Sequence, residues 1–163
     1  MTFKYNNVYI NNASTVAGPY EKKGSLSSFF DKSYNDLYNG AKTWEQAESK
    51  LLEESVDILL KKANITKDTI DLLIAGDLLN QITSSSYGLQ KYNLPFLGIY
   101  GACSTSVEGI IIASNFIEAG QIKKCITSVS SHNMSSEKQF RNPTEYGAPK
   151  PKTATFTSTG GAS

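Results

Sequence analysis

The chain has 163 residues, of which 39% are hydrophobic, 10% aromatic and 19% charged. That composition suits a globular domain with a core of its own and excludes a disordered or fibrous protein. Lys and Arg number 16 against 15 Asp and Glu, a formal charge of +1. This balance excludes an electrostatic nucleic-acid binder, and the lysine pairs at 22/23, 61/62 and 123/124 read as solvated helix ends and loops. MTFKYNNVYINN lacks the basic and apolar regions of a secretory signal, and no window approaches a membrane span of about 20 apolar residues. A soluble, unprocessed chain is the expectation. Cys103, Cys125 and the single His132 have no metal-ligand spacing, so neither a metal nor a cofactor is expected, and a disulfide is not expected either.

In chain order, Val8, Tyr9 and Ile10 predict a first strand, followed by a loop at AGPYEKKG. A short amphipathic piece around Phe29, Phe30, Tyr34 and Leu37 ends at Asn39 and Gly40. The clearest helix opens at Thr43, where Gln46 completes capping-box spacing and Trp44, Ala47, Leu51, Ser55, Ile58 and Leu59 recur at three and four. Lys61, Lys62 and Asn64 suit its end. Ile70 to Ala75 is an apolar run of strand length, interrupted only by Asp71 and without alternation, which implies burial on both faces as in a parallel sheet.

The stretch from Leu79 to Tyr92 predicts a weaker helix diluted by Ser84, Ser85, Ser86 and Gly88, and Phe96 to Tyr100 a third strand. Ser104 to Ala119, apolar almost all round and closed by Gly120, predicts a helix buried between layers. Cys125, Ile126 and Val129 mark a fourth strand, and the alternation from Thr153 to Thr157 a fifth. This order predicts an α/β domain, a mostly parallel five-stranded sheet with flanking helices and right-handed crossovers. The chain stops at STGGAS, directly after a strand, and is read as one half of a longer protein.

The chemistry-bearing segment is GACSTSVEG, Gly101 to Gly109, between the third strand and the buried helix. A cysteine at a helix N-terminus sits where unpaired N–H groups and the helix dipole favour a thiolate. Strand, sharp turn, nucleophile and helix is the logic of a nucleophile elbow. From position alone, Cys103 is equally a reactive thiol or an inert buried cysteine.

GACSTS resembles the cysteine segment of thiolases and ketoacyl synthases. The longer segments NNASTVAGPYEKKGSL, FFDKSYND, AGDLLNQ, FLGIYGACSTSVE, SSHNMSSEKQFRNPTEYG and KPKTATFTSTGGAS resemble one branch, the stage V sporulation protein AD family, from Asn11 to Ser163. The resemblance implies a thiolase-like fold of two similar halves in a five-layer sandwich, of which residues 1–163 would be the N-terminal half with the C-terminal half absent. It implies a non-enzymatic protein that binds pyridine-2,6-dicarboxylic acid (dipicolinic acid), with or without Ca²⁺. Such a protein acts with other stage V sporulation membrane proteins in uptake into the developing spore and release on germination. It would lie peripheral to the spore inner membrane, packed against its own C-terminal half or a second copy. The alternative is a thiolase-like or ketoacyl-synthase-like acyl-transfer enzyme using Cys103, whose remaining catalytic groups would come from the other half.

Against that background each candidate ligand-binding residue keeps two readings. Cys103, with Ser104 and Thr105, either holds a ligand carboxylate at the helix N-terminus or, for the two hydroxyls, caps the helix. Asp77 and Asn80 follow a strand at its carboxyl end, where open α/β folds place ligands, yet Asp77 is also a plausible helix cap. His132 and Asn133 follow the fourth strand and either meet the ligand or Cys103, or make structural hydrogen bonds. Arg141, the chain's one arginine, has a planar fork suited to a carboxylate, with Glu145 as a local ion-pair partner instead. Glu108 faces the site or a partner.

Overall fold

The computed structural model describes residues 2–141, 153 and 155–163. Its centre is a mixed sheet of six strands, β1 (Thr15–Ala17), β2 (Lys32–Ser33), β3 (Leu72–Gly76), β4 (Phe96–Gly98), β5 (Cys125–Ser131) and β6 (Gly160–Ala162), in the order β2-β1-β6-β5-β3-β4. The pairs β1–β2, β3–β4 and β3–β5 are parallel, while β6 runs antiparallel to both β1 and β5. Helices α1 (Trp44–Ala63) and α2 (Thr83–Leu89) cover one face, and α3 (Thr105–Glu118) covers the other. A short α4 (Asn133–Ser136) continues into a π-helical turn, Glu137–Arg141.

Local sequence explains the long helices. Thr43 caps α1 by accepting from the Gln46 amide at 3.2 Å, and Gln46 returns a bond to the Lys42 amide. Asn64 ends α1 in the left-handed region at φ 52°, and the Ile65 amide reaches Leu60 O. The buried stripe of α1 is Ala47, Glu48, Leu51, Leu52, Ser55, Val56 and Leu59. From it Leu52, Val56 and Leu59 pack with Leu73, Ala75, Leu89, Tyr92 and Ile126 to form the main core. β3 is buried on both faces, with Leu73 and Ala75 toward α1 and Ile74 toward α3, as its apolar run without alternation predicts. No described helix is long and apolar enough to cross a membrane.

Four expectations are corrected. Val8 to Ile10 is not a strand: Tyr9 and Ile10 are exposed, and the segment is instead tied to the end of α3 through the Asn6 and Asn7 amides on Glu118. The first strand is Thr15–Ala17, whose small buried side chains give no apolar run. The amphipathic piece around Phe29 to Leu37 holds a 3-10 turn, Ser27–Phe29, and then an unexpected edge strand, β2, which raises the strand number from five to six. The last strand is Gly160–Ala162 rather than 153–157, where Ala154 lies outside the described residues. Finally, α3 buries one side, through Thr105, Gly109, Ala113 and Ser114, and leaves Val107 56% and Ile110 42% exposed.

The strand registers bring Ala17, Gly76, Gly98, Ser131 and Gly160 to one edge of the sheet. That edge holds the candidate site.

Candidate functional site

A cleft of about 870 Å³ opens over this edge. Its floor is the strand ends, with Gly76 and Ser131 among them, and its walls are the Cys103 turn on one side and Thr157 to Thr159 on the other. Tyr100, Phe30, Phe140 and Phe156 supply aromatic surface, and Ser106, Thr155 and Ser158 supply hydroxyl groups. Open α/β sheets place ligands at such carboxyl ends.

The cysteine turn is tightly built. Gly101 leads into a 3-10 turn, Ala102–Ser104, and Ala102 takes φ +48° immediately before Cys103. A residue with a Cβ in the left-handed region costs about 1 kcal/mol, and such strain is stored where neighbours fix it. Here the neighbours are the hydroxyls. Ser104 Oγ donates to Gly101 O at 2.7 Å, while Thr105 Oγ1 accepts from the Gly101 amide at 3.0 Å and donates to Ala102 O at 2.9 Å. Gly76 lets this turn lie close to β3, because a Cβ there would stand 2.2 Å from Ile99 O and 2.7 Å from Thr105 Cγ2. The result is an exposed Cys103 at the mouth of the cleft.

The Ser104 amide is spent on Gly101 O and the Thr105 amide on Ala102 O. The amides of Ala102 and Cys103 have no acceptor among the described residues. Successive free N–H groups in such a turn form a concavity suited to an anion.

Of the residues singled out in the sequence, Cys103, Thr105 and Asp77 line the cleft. Asp77 is buried with both oxygens engaged: Oδ1 accepts from the Leu79 amide at 2.8 Å, and Oδ2 from the Ser85 amide and hydroxyl, each at 2.7 Å. Ser104 is outside the lining, and exposed Asn80 is joined through its backbone to Gln139 Oε1 and Thr83 Oγ1.

His132 is completely buried away from the cleft. Its Nε2 donates to Leu37 O at 2.7 Å, and its Nδ1 accepts from the Met134 amide at 3.2 Å, capping α4. Those partners fix the tautomer, and burial holds its pKa below the usual imidazole value. Asn133 is likewise internal, its amide on Thr159 Oγ1 at 2.9 Å and its side chain on Thr157 O at 3.3 Å. Arg141 closes the π-helical turn, and both its side chain and Glu145 lie outside what the structure describes. Glu108 places Oε2 against Gly101, where a Cβ would stand 2.5 Å away.

Two acids escaped the sequence reading. Glu21 lines the cleft and accepts the Thr159 amide at 3.0 Å. Glu48 is fully buried, and its place on the stripe of Trp44, Leu51, Leu52 and Ser55 is a signal available from spacing alone. Among the described residues no group of three or more His, Cys, Asp and Glu could hold a metal ion.

The profile of the family described as stage V sporulation protein AD (SpoVAD) matches residues 1–163. The chain belongs to this family. It is 50% identical over 153 residues to the stage V sporulation protein AD of Bacillus subtilis (strain 168), covering 94% of the chain but 45% of that relative. Family membership gives the chain a role in sporulation. Solved structures show the fold: an OleA variant of Xanthomonas campestris superposes with a TM-score of 0.62 at 16% identity. A 3-oxoacyl-(acyl carrier protein) synthase III, FabH, of Xanthomonas oryzae pv. oryzae superposes at 0.59 and 18%. Each match covers 97% of the chain and 55% of the solved structure, so the chain spans about half the length of the proteins it matches. The fold is thiolase-like, with α/β architecture and a mostly parallel sheet.

The two cysteines of this family member differ in setting. Cys103 is exposed, whereas Cys125 is half-buried and burial pushes its thiol up to about 12. Iodoacetamide at neutral pH is expected to label Cys103 at least about tenfold faster, read by peptide mapping. Equal labelling would show that the turn gives no reactive thiol.

Proposed function

We propose that this chain is the N-terminal half of a non-enzymatic dipicolinic acid-binding protein. It serves uptake into the developing spore and release on germination, peripheral to the inner membrane and beside other stage V sporulation membrane proteins. The observation that carries this reading is the cleft lining, which sets aromatic rings, hydroxyl groups and the amides of Ala102 and Cys103 around one space. Cys103 stands at the cleft mouth, while both ring nitrogens of His132 are consumed inside the protein. His132 therefore supplies no base to Cys103, and the base of the acyl-transfer alternative would come from the other half.

The cleft's chemistry suits a flat aromatic dicarboxylate. Phe30, Tyr100, Phe140 and Phe156 offer ring surface, and hydroxyls with the amides of Ala102 and Cys103 offer donors. The charged side chains lining it among the described residues are the acids Glu21 and Asp77. That wall favours the calcium chelate of the ligand over the bare dianion, because calcium neutralises the charge the acids repel.

Calorimetry of the full-length protein with dipicolinate, with and without calcium, tests the reading. No saturable signal at millimolar ligand overturns it. Cys103→Ala is expected to weaken binding by about 1 kcal/mol, the scale of one hydrogen bond, since the amide donors remain. Bound dipicolinate is expected to protect Cys103 from alkylation. An acyl adduct on Cys103 after incubation with acyl-CoA, seen by mass spectrometry, would favour the thiolase-like alternative.

A further inference from the structure

Glu48 faces the sheet from α1 and is fully buried. Its Oε2 accepts from Ser135 Oγ on α4 at 2.8 Å, and its Oε1 from Ser130 Oγ on β5 at 3.3 Å. No described cation pairs with it. The titratable groups around it are Asp77 beyond β3, Glu45 on α1, and His132 at the start of α4. Asp77 and Glu45 repel a negative charge at Glu48. His132 is held neutral by burial, and Lys138, just past α4, is turned to Glu45 at 3.5 Å. The two serine hydroxyls, as donors, favour a carboxylate, but full burial with two acidic neighbours and no paired cation outweighs them and favours the neutral acid. Burial accordingly pushes the Glu48 carboxyl up to about 8.

What Glu48 holds is the support of the cleft rim. Ser135 sits on α4, and from the same segment Asn133 binds Thr159 Oγ1 and Thr157 O, while Glu137 Oε1 accepts from the Thr157 amide and hydroxyl at 3.1 Å each. Thr157 and Thr159 line the cleft. We propose that Glu48 is a positioning residue whose neutral carboxylic acid clamps α4 to α1 and β5, so that its ionisation loosens the Thr157–Thr159 rim and weakens ligand binding. The link to ligand rests on the reading of the cleft given above, whereas the clamp itself does not. The folded-state pKa lies above the unfolded one, so the stabilisation is fully present below the ordinary glutamate range and is lost as pH rises through about 8.

The test uses full-length protein and its Glu48→Gln variant from about pH 6 to about pH 10, following hydrogen exchange at the Thr157 and Thr159 amides and affinity for dipicolinate by calorimetry. The expected wild-type result is rim exchange rising more than about tenfold beyond intrinsic base catalysis, with binding weakened about tenfold, while Glu48→Gln shows neither change. Matching pH profiles in the two proteins, or flat rim exchange in the wild type, would overturn the clamp. If the variant does not fold, the carbon-13 titration of the Glu48 carboxyl in the wild type decides, and a midpoint in the ordinary glutamate range overturns the proposal. Rim amides that respond to Glu48 without dipicolinate binding at any pH would uphold the clamp and sink the ligand reading. Tight binding over flat rim exchange would do the reverse.

Discussion

Gly161→Ala is expected to destabilise the fold by about 3 kcal/mol, read as a lower midpoint in urea denaturation. Gly161 lies on β6 in the middle of the sheet, and a Cβ there would stand 2.6 Å from Leu51 O, 2.8 Å from Leu51 C and 3.1 Å from Leu52 N. These are backbone atoms of α1 and cannot rotate aside, so either the helix lifts from the sheet or the strand shifts. Lifting α1 would open the contacts of Leu52 and Val56 in the main core. Gly109→Ala provides the opposite case. Its Cβ would meet Ile99 Cδ1 and Thr127 Cβ no closer than 3.4 Å, inside a helix where alanine is favoured over glycine by up to about 1 kcal/mol. A neutral or stabilising Gly109→Ala beside a severe Gly161→Ala would establish that distance to backbone, rather than glycine content, sets the cost. Equal effects would refute the close approach of α1 to β6.

That same approach explains why β6 was illegible from sequence. A strand read from its residues is expected to carry β-branched or aromatic side chains. The Thr153–Thr157 alternation fits that rule, while Gly160, Gly161 and Ala162 do not. Gly161 is set by a helix more than a hundred residues earlier in the chain, and Gly160 by Val16 O of β1, 2.9 Å from where its Cβ would stand. β1 was lost similarly, because Val16 and Ala17 fill a narrow space and leave no apolar run. By contrast, α1, α3, β3 and β5 were legible because each carries its own pattern: a capped 3.6 period, a glycine-terminated apolar stretch, and two short strand runs. In the site, Cys103 was legible because a motif of glycine, alanine and hydroxyl residues specifies its turn locally. His132 was not. The residues SSHN read the same whether or not the Leu37 carbonyl stands 2.7 Å from the imidazole, and that carbonyl is supplied by a distant loop. Nor do Ser104 and Thr105 reveal in sequence that their amides are already paired.

Asp77→Ala is expected to cost about 3–5 kcal/mol and to lower the melting temperature by about 10 °C, measured by calorimetric or circular dichroism melting. The argument starts from burial. Asp77 is 2% exposed and its two oxygens take three hydrogen bonds, from the Leu79 amide and from the amide and hydroxyl of Ser85. Alanine removes both acceptor oxygens and leaves two backbone N–H groups without partners, and an orphaned buried donor costs more than the bond it made was worth. Ser85→Ala removes a single bond of the three and leaves the amide paired, so about 1 kcal/mol is expected from it. Asp77→Asn keeps one oxygen for Leu79 or Ser85 but turns an NH₂ group toward the other donors, placing its cost between the two. This ordering separates the two readings that the sequence left open for Asp77. A residue that chiefly contacts ligand would lose binding on substitution and keep its melting temperature. A residue that organises the turn after β3 loses stability first, and loses binding because Leu78 and Tyr100, which line the cleft on either side of that turn, move with it. An unchanged melting temperature in Asp77→Ala would return Asp77 to the ligand, and would place an acidic side chain in direct contact with whatever the cleft holds.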